Sequence, residues 1–192
     1  RGLGDVYKRQ EYYFTSKGKG GIRFKNHIKQ DVGKSATNLW FYGDVGHTDE
    51  AKKELKGIFS GVAPIETPKP RRLIERILHI AADSNAIILD SFAGSGTTAH
   101  AVLNMNKADG GHRKFIMVQV PEPTDEKSEA YKAGYKTICE IGKERIRRAG
   151  RKIKEDAGLT APADLDIGFR CLRLDESNMK PVYYTPEETQ QQ

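Results

Sequence analysis

The residues that invite chemistry lie in one stretch, Leu89-Asp90-Ser91-Phe92-Ala93-Gly94-Ser95-Gly96-Thr97-Thr98-Ala99. A branched apolar run ends in an acid, two glycines follow with one residue between them, and two threonines come next. That pattern is a strand end, a tight turn and a helix start. Ligands of open α/β sheets bind in the crevice outside the carboxyl ends of the strands. Gly94 and Gly96 allow a sharp bend and let a ligand approach the backbone with no Cβ in the way. Thr97 and Thr98 offer hydroxyls to a ligand or satisfy free amides of the first helical turn. The spacing also fits the GxGxxA variant of a dinucleotide turn, with Ala99 in its last position. The acid before the glycines disfavours a pyrophosphate there and suits a ligand with a cationic amino-acid end. Gly33-Lys34-Ser35 is not a P-loop, because no glycine stands five residues before Gly33. It reads as a surface turn.

Such a turn needs a strand before it and a helix and a strand after it. Residues 86–90 are a short, branched, apolar run and read as a buried strand. A helix starts at 97, Asp109-Gly110-Gly111 breaks the chain, and 115–120 reads as a second buried strand. The span is therefore predicted as strand–helix–strand with the strands parallel and adjacent. Upstream, Thr67-Pro68-Lys69-Pro70 sets a helix start. Leu73, Ile74, Ile77, Leu78 and Ala81 then repeat with helical spacing. Residues 49–59 form a short helix and 60–66 a linker. After an acidic loop, a long helix is expected over about 128–155, with Tyr131, Tyr135, Ile138, Gly142, Ile146, Ala149 and Ile153 as its buried stripe. Its later part is strongly basic. A third strand is expected at 168–174. Residues 1–10 read as a loose N-terminal segment, and 181–192 as a weakly docked tail.

Bulk properties bound the rest. The 192 residues suffice for one domain with a sizeable core. The formal charge of +6 favours an anionic partner such as nucleic acid, although basic enzymes carry as much. Cys139 and Cys171 form no metal-type pattern and read as reduced thiols of a cytoplasmic protein. The five histidines form no HExxH or Cys/His cluster, so no metal is expected. The apolar runs are too short to span a bilayer, so no membrane is expected.

The segment Asp90–Thr98 resembles the cofactor motif of the amino-type DNA methyltransferases, which methylate adenine N6 or cytosine N4. Thr67-Pro68-Lys69-Pro70 resembles the cofactor-contacting motif that precedes it in the permuted branch of that family. A larger ordered set comprises FYGD at 41–44, TPKP at 67–70, DSFAGSGTTAHAV at 90–102, GGHRKFIMVQ at 110–119, KERIRRAG at 143–150 and GFRCLRLDESN at 168–178. Together these resemble the modification subunit of type III restriction–modification systems over roughly residues 25–180. The resemblance implies an α/β fold: a partial Rossmann-like methyltransferase fold, three-layer α/β/α, with an incomplete parallel or mixed sheet. It makes 11–60 the end of the target-recognition region and 61–180 the cofactor-binding part. It implies S-adenosyl-L-methionine as cofactor and adenine N6 of double-stranded DNA as target. A restriction subunit or a second modification subunit is the implied protein partner. On this reading Asp90, Phe92, Gly94 and Gly96 shape the cofactor pocket, Lys69 and Leu73 hold the amino-acid end, and Thr97 lies close by. Gln119 stands where many relatives have an acid for the ribose hydroxyls, and it can still donate and accept a hydrogen bond. From the residues alone, Phe92 fits core packing as well, and Lys69 a solvated surface.

No catalytic residue is assigned. Amino methyltransferases carry a D/N/S-P-P-Y/F/W motif that receives a base flipped out of the duplex. No Pro-Pro pair exists in this chain, and Asp31, Asp44 and Asp90 are followed by Val, Val and Ser. In the permuted branch the catalytic motif precedes TPKP, so the resemblance points to a fragment lacking it. The alternative is a non-catalytic DNA-binding or subunit-assembly fragment, using the basic half of the long helix. A nicotinamide-dependent oxidoreductase would need a ribose reader after the second strand and a substrate domain, and neither is evident.

Overall fold

The computed structural model describes residues 12–14 and 22–24 as backbone, together with residues 36–158 and 164–175. The loose segment expected at 1–10 and the tail at 181–192 lie outside the described residues. The chain divides into two compact units, 1–39 and 40–192. In the first, β1 (Tyr12–Phe14) and β2 (Ile22–Phe24) pair antiparallel, with Tyr13 opposite Arg23.

The second unit runs α1 (Tyr42–Val45), α2 (Thr48–Ile58), α3 (Arg71–Ala81), β3 (Ile87–Asp90), α4 (Thr97–Asp109), β4 (Lys114–Met117), α5 (Glu129–Lys132) and α6 (Ile138–Ala157). The strands β3 and β4 are parallel neighbours, with Ile88 opposite Phe115 and Asp90 opposite Met117. The strand–helix–strand unit predicted from the two apolar runs is therefore present. Backbone bonds from Val118 N to the Asp90 oxygen and from Ala93 N to the Val118 oxygen carry the pairing just past the strand ends.

Helix α4 begins after Gly96 at φ 74° and ends at Gly110 at φ 68°, both left-handed positions that favour glycine. All seven residues from Thr97 to Leu103 are buried. Such a helix shows no one-sided apolar stripe because it is covered nearly all round. Leu78 and Ile74 of α3 meet Ala101 and Val102 on one side. Ile146 and Ile153 of α6 meet Ala99 and Leu103 on the other, with Phe115 and Met117 of the sheet joining them. Leu103 is 2% exposed at this junction. Leu103→Ala should lower the unfolding free energy by about 3 kcal/mol, through lost transfer energy plus the cavity left behind. Urea denaturation of the two proteins measures it.

The architecture is a mixed α/β fold with a small parallel sheet flanked by helices, a partial Rossmann-like arrangement. Register puts Ile88, Asp90, Phe115 and Met117 on one sheet face, which the helices cover. Ile87, Leu89 and Ile116 stand on the other face and are 67%, 63% and 52% exposed.

Two expected elements differ. The helix expected over 128–155 is two helices. Ser128 caps α5 by accepting from Tyr131 N, and Gly134 at φ 94° then turns the chain. The Glu140 carboxylate accepts from the backbone amides of Lys136 and Thr137 and starts α6 afresh. The strand expected at 168–174 is irregular chain. Gly168 N bonds the Asp166 carboxylate in a local turn, and Phe169 packs against the Leu103 cluster. Leu172 and Leu174 stay exposed. Among the described residues the parallel sheet holds β3 and β4 alone, and the segment adds no strand to it.

Candidate cofactor site

The site grows from the end of β3. Asp90 closes the strand and turns its carboxylate inward along the chain. Its Oδ1 accepts from Phe92 N at 3.1 Å and its Oδ2 from the Thr98 hydroxyl at 2.6 Å. The acid thus ties the strand end to the first turn of α4. Between these anchors the chain passes through Gly94 at φ 51° and Gly96 at φ 74°. Gly94 N donates to Gln119 Oε1 at 2.7 Å, and Gln119 Nε2 donates to the Val120 carbonyl. Gln119 therefore braces the turn from the strand that follows.

Helix α6 braces it from below. A Cβ on Gly96 would lie 3.1 Å from the Gly142 carbonyl oxygen, and a Cβ on Gly142 would lie 3.1 Å from the Gly94 carbonyl oxygen. The turn and the helix therefore touch backbone to backbone. One turn further along α6, the fully buried Arg145 donates from one guanidinium nitrogen to Ser95 Oγ at 2.9 Å and to Thr97 Oγ1 at 2.7 Å.

A cavity of about 640 Å³ opens beside the turn, lined among others by Gly94, Gly96, Gln119, Gly142, Phe115 and Phe169. It unites three of the residues singled out in the sequence, Gly94, Gly96 and Gln119. Asp90, Phe92, Thr97, Lys69 and Leu73 are not among its lining residues. Phe92 is 90% exposed, so it is not a core residue. Thr97 is buried and faces Arg145. Lys69 is exposed in the segment before α3, and Leu73 is half-buried in the first turn of α3.

The upstream motif is nevertheless firmly placed. Arg72 donates to the backbone oxygens of Gly43 and Asp44 and to Glu50, and Arg71 pairs with Glu54 at 2.6 Å and with Glu75. The bonds of Arg72 join FYGD to the first turn of α3, the helix that follows TPKP. Asn104 Nδ2 donates to Glu75 Oε1 at 2.7 Å and extends the network to α4.

Sequence reasoning missed Arg145, Glu54 and Arg71. From the sequence, the basic half of α6 reads as one solvated or DNA-facing surface. Arg145 is interior, and Arg148 is half-buried over the Phe59 ring at 5.2 Å with its Nε on Glu144 at 2.6 Å. Arg147 lies over Phe169 at 5.6 Å. Lys152, Lys154 and Arg151 remain exposed.

His100, one turn into α4, is also buried, and its pKa falls to about 3. Burial is the main cause, followed by the positive charges of Arg145, Arg71 and Lys152. Between pH 3 and the ordinary histidine value near 6.5, the unfolded chain binds a proton that the folded chain refuses. Stability contributed by neutral His100 is full above that window and is lost as pH falls through it, by about 1.4 kcal/mol per pH unit. His100→Gln should flatten the acid limb of a plot of urea midpoint against pH. An unchanged limb would show that other groups control acid unfolding.

Among the described residues, no three of His, Cys, Asp or Glu cluster to hold a metal, and no helix is long and apolar enough to cross a membrane.

The chain thus carries a parallel strand–helix–strand unit with a glycine turn at the strand end, opening onto a cavity. A family model described as DNA methylase, of the N6/N4 type, matches residues 6–154. The chain belongs to the N6/N4 DNA methylase family. It is 41% identical over 165 residues to the type III restriction-modification enzyme StyLTI Mod subunit of Salmonella typhimurium, covering 84% of this chain and 24% of that one. It is 44% identical over 106 residues to the EcoP15I Mod subunit of Escherichia coli, covering 55% and 16%. The type II methyltransferase M.KpnI of Klebsiella pneumoniae is 38% identical over 128 residues, covering 67% and 30%. The chain thus spans less than a third of the length of these relatives.

Proposed function

We propose that this chain is the S-adenosyl-L-methionine-binding, C-terminal part of a permuted, type III modification subunit. The complete enzyme transfers a methyl group to adenine N6 at a specific site in double-stranded DNA. It works in the cytoplasm with a restriction subunit or a second modification subunit. The observation that carries this reading is the glycine turn at the carboxyl end of β3, held by Gln119 and opening onto the cavity. The group fits the residues present. A Cβ on Gly94 would meet nothing nearer than the Phe92 carbonyl at 3.8 Å, so the backbone there is open to close approach. Phe115, Met117 and Phe169 offer apolar walls to a planar base. The free amide hydrogen and oxygen lone pair of Gln119 suit ribose hydroxyls. Lys69, Leu73, Asp90, Phe92 and Thr97 complete the set toward the amino-acid end. When bound, the cofactor supplies the activated methyl group. The apolar sheet face of Ile87, Leu89 and Ile116 is where a third layer packs in the complete domain.

Titration calorimetry with S-adenosyl-L-methionine tests the proposal. Saturable one-to-one binding is expected, and Gln119→Ala should weaken it about tenfold by removing a brace of the turn as well as a polar contact. No binding heat with either the cofactor or its demethylated product would overturn the cofactor reading.

A further inference from the structure

We propose that Arg145 is the positioning residue of the glycine turn, setting the Ser95–Thr97 backbone for the cofactor from inside the protein without reaching the cavity. The inference rests on the cofactor reading above. Arg145 is 0% exposed, and the cavity is lined by its neighbours Gly142, Lys143 and Ile146 but not by Arg145 itself. One nitrogen of its guanidinium bonds both hydroxyls of the turn, and those hydroxyls lie 3.2 Å from each other. Both oxygens accept from the same cation, and either hydroxyl can donate to the other.

The cation is itself held from behind. Its second terminal nitrogen lies 3.6 Å from Glu54, which also pairs with Arg71 at 2.6 Å. Helices α2, α3 and α6 thereby converge on the turn through one carboxylate. This is an expensive arrangement for stability alone. A buried cation loses its hydration, and Arg145 Nε and its second terminal nitrogen lack hydrogen-bond partners. Burial pulls its pKa down to about 10, with Glu54 opposing that fall, so the side chain stays charged at neutral pH. An apolar residue would fill the same space more cheaply, whereas a planar, multi-donor cation fixes two hydroxyls at once. Thr97 consequently acts on the ligand through the shape of the turn, its oxygen being directed to Arg145.

The test uses the 192-residue chain and the variants Arg145→Lys, Thr97→Val, their double mutant, and Leu78→Ala as a core control whose packing cluster includes no residue of the turn or of α6. Arg145→Lys keeps charge and bulk but loses the planar fork. It should weaken S-adenosyl-L-methionine binding about tenfold or more. Leu78→Ala, chosen for its cost in thermal stability, should leave affinity within about twofold. The double mutant should bind about as weakly as the worse single mutant, since both remove the same contact. Amide exchange at Gly94 and Gly96, measured without cofactor, should quicken in Arg145→Lys while amides of β3 and β4 keep their rates. Unchanged affinity in Arg145→Lys, or affinity that falls equally in Leu78→Ala, overturns the inference. If the parent chain binds no cofactor, the cofactor reading fails. The exchange rates then decide alone whether Arg145 holds the turn, unchanged rates overturning that part too.

Discussion

Gly96→Ala should lower the unfolding free energy by about 2–4 kcal/mol and abolish measurable cofactor binding. Two costs combine. At φ 74° an alanine sits in the left-handed region, at a cost of about 1–2 kcal/mol. The added Cβ would also lie 3.1 Å from the Gly142 carbonyl oxygen and 3.5 Å from both Gly142 Cα and Ile146 Cγ1. These are backbone and core atoms of α6, so relief requires the helix to move off the turn. The two costs separate by comparison. Gly110 has φ 68° with nothing within 4 Å of a built Cβ, and Gly94 has φ 51° with only the Phe92 oxygen at 3.8 Å. Gly110→Ala and Gly94→Ala should each show the conformational cost alone. Urea unfolding of the three variants gives the differences directly. Equal losses at positions 94, 96 and 110 would mean that α6 does not press on the turn.

The glycine turn and its flanking strands were legible because their signals are local. Branched residues at 87–89, glycines at 94, 96 and 110, and the apolar run at 115–118 each act within a few residues of themselves. The segment at 168–174 shows the limit of that logic. Its alternation suits a strand, but a strand also needs a partner edge, and the chain there lies across a cavity from β4. The helix expected over 128–155 failed for a similar reason. Tyr131 and Tyr135 keep helical spacing with Ile138, yet Gly134 and the Thr137–Glu140 start are local stop and start signals that outweigh a periodicity carried across them. Arg145 was hidden by its charge. Position 145 lies three residues after Gly142 and four before Ala149, inside the buried stripe. Helical spacing alone would have put it indoors. An arginine there is informative because a charge is rarely fully buried without partners, and its partners, Ser95, Thr97 and Glu54, are 48 to 91 residues away. On the site itself, Gly94 and Gly96 were legible from their spacing and Gln119 from the resemblance, and all three line the cavity. Where Lys69 and Leu73 sit relative to a bound ligand depends on long-range packing that no local pattern encodes.

The chain on its own should transfer no methyl group to DNA. An exocyclic amine of adenine is a poor nucleophile, its lone pair being delocalised into the ring. Enzymes of this chemistry take the base out of the stack, accept its amine hydrogens with an acid or amide and a prolyl carbonyl, and stack an aromatic ring on it. The gain lies in holding the nitrogen in line with the methyl group, and a bimolecular encounter in water lacks it. No Pro-Pro pair occurs in the sequence. Asp90 and Phe92, an acid and an aromatic ring just before the glycine turn, are the nearest substitutes. Asp90 is tied down where it stands, one carboxylate oxygen accepting from Phe92 N and the other from the Thr98 hydroxyl at 2.6 Å. Releasing it would untie β3 from α4. Phe92, 90% exposed, can stack on a base but offers no acceptor. Incubation with methyl-labelled S-adenosyl-L-methionine and mixed-sequence duplex DNA should therefore leave the DNA at the no-protein background, even where calorimetry shows the cofactor bound. Label appearing in the DNA, and lost on Gly94→Asp, would mean that a base-binding constellation exists within these residues. Asp90→Asn and Phe92→Ala would then be the first variants to assay. If labelling begins only when a separately expressed region bearing a D-P-P-Y motif is added, the division of labour between cofactor turn and base clamp stands.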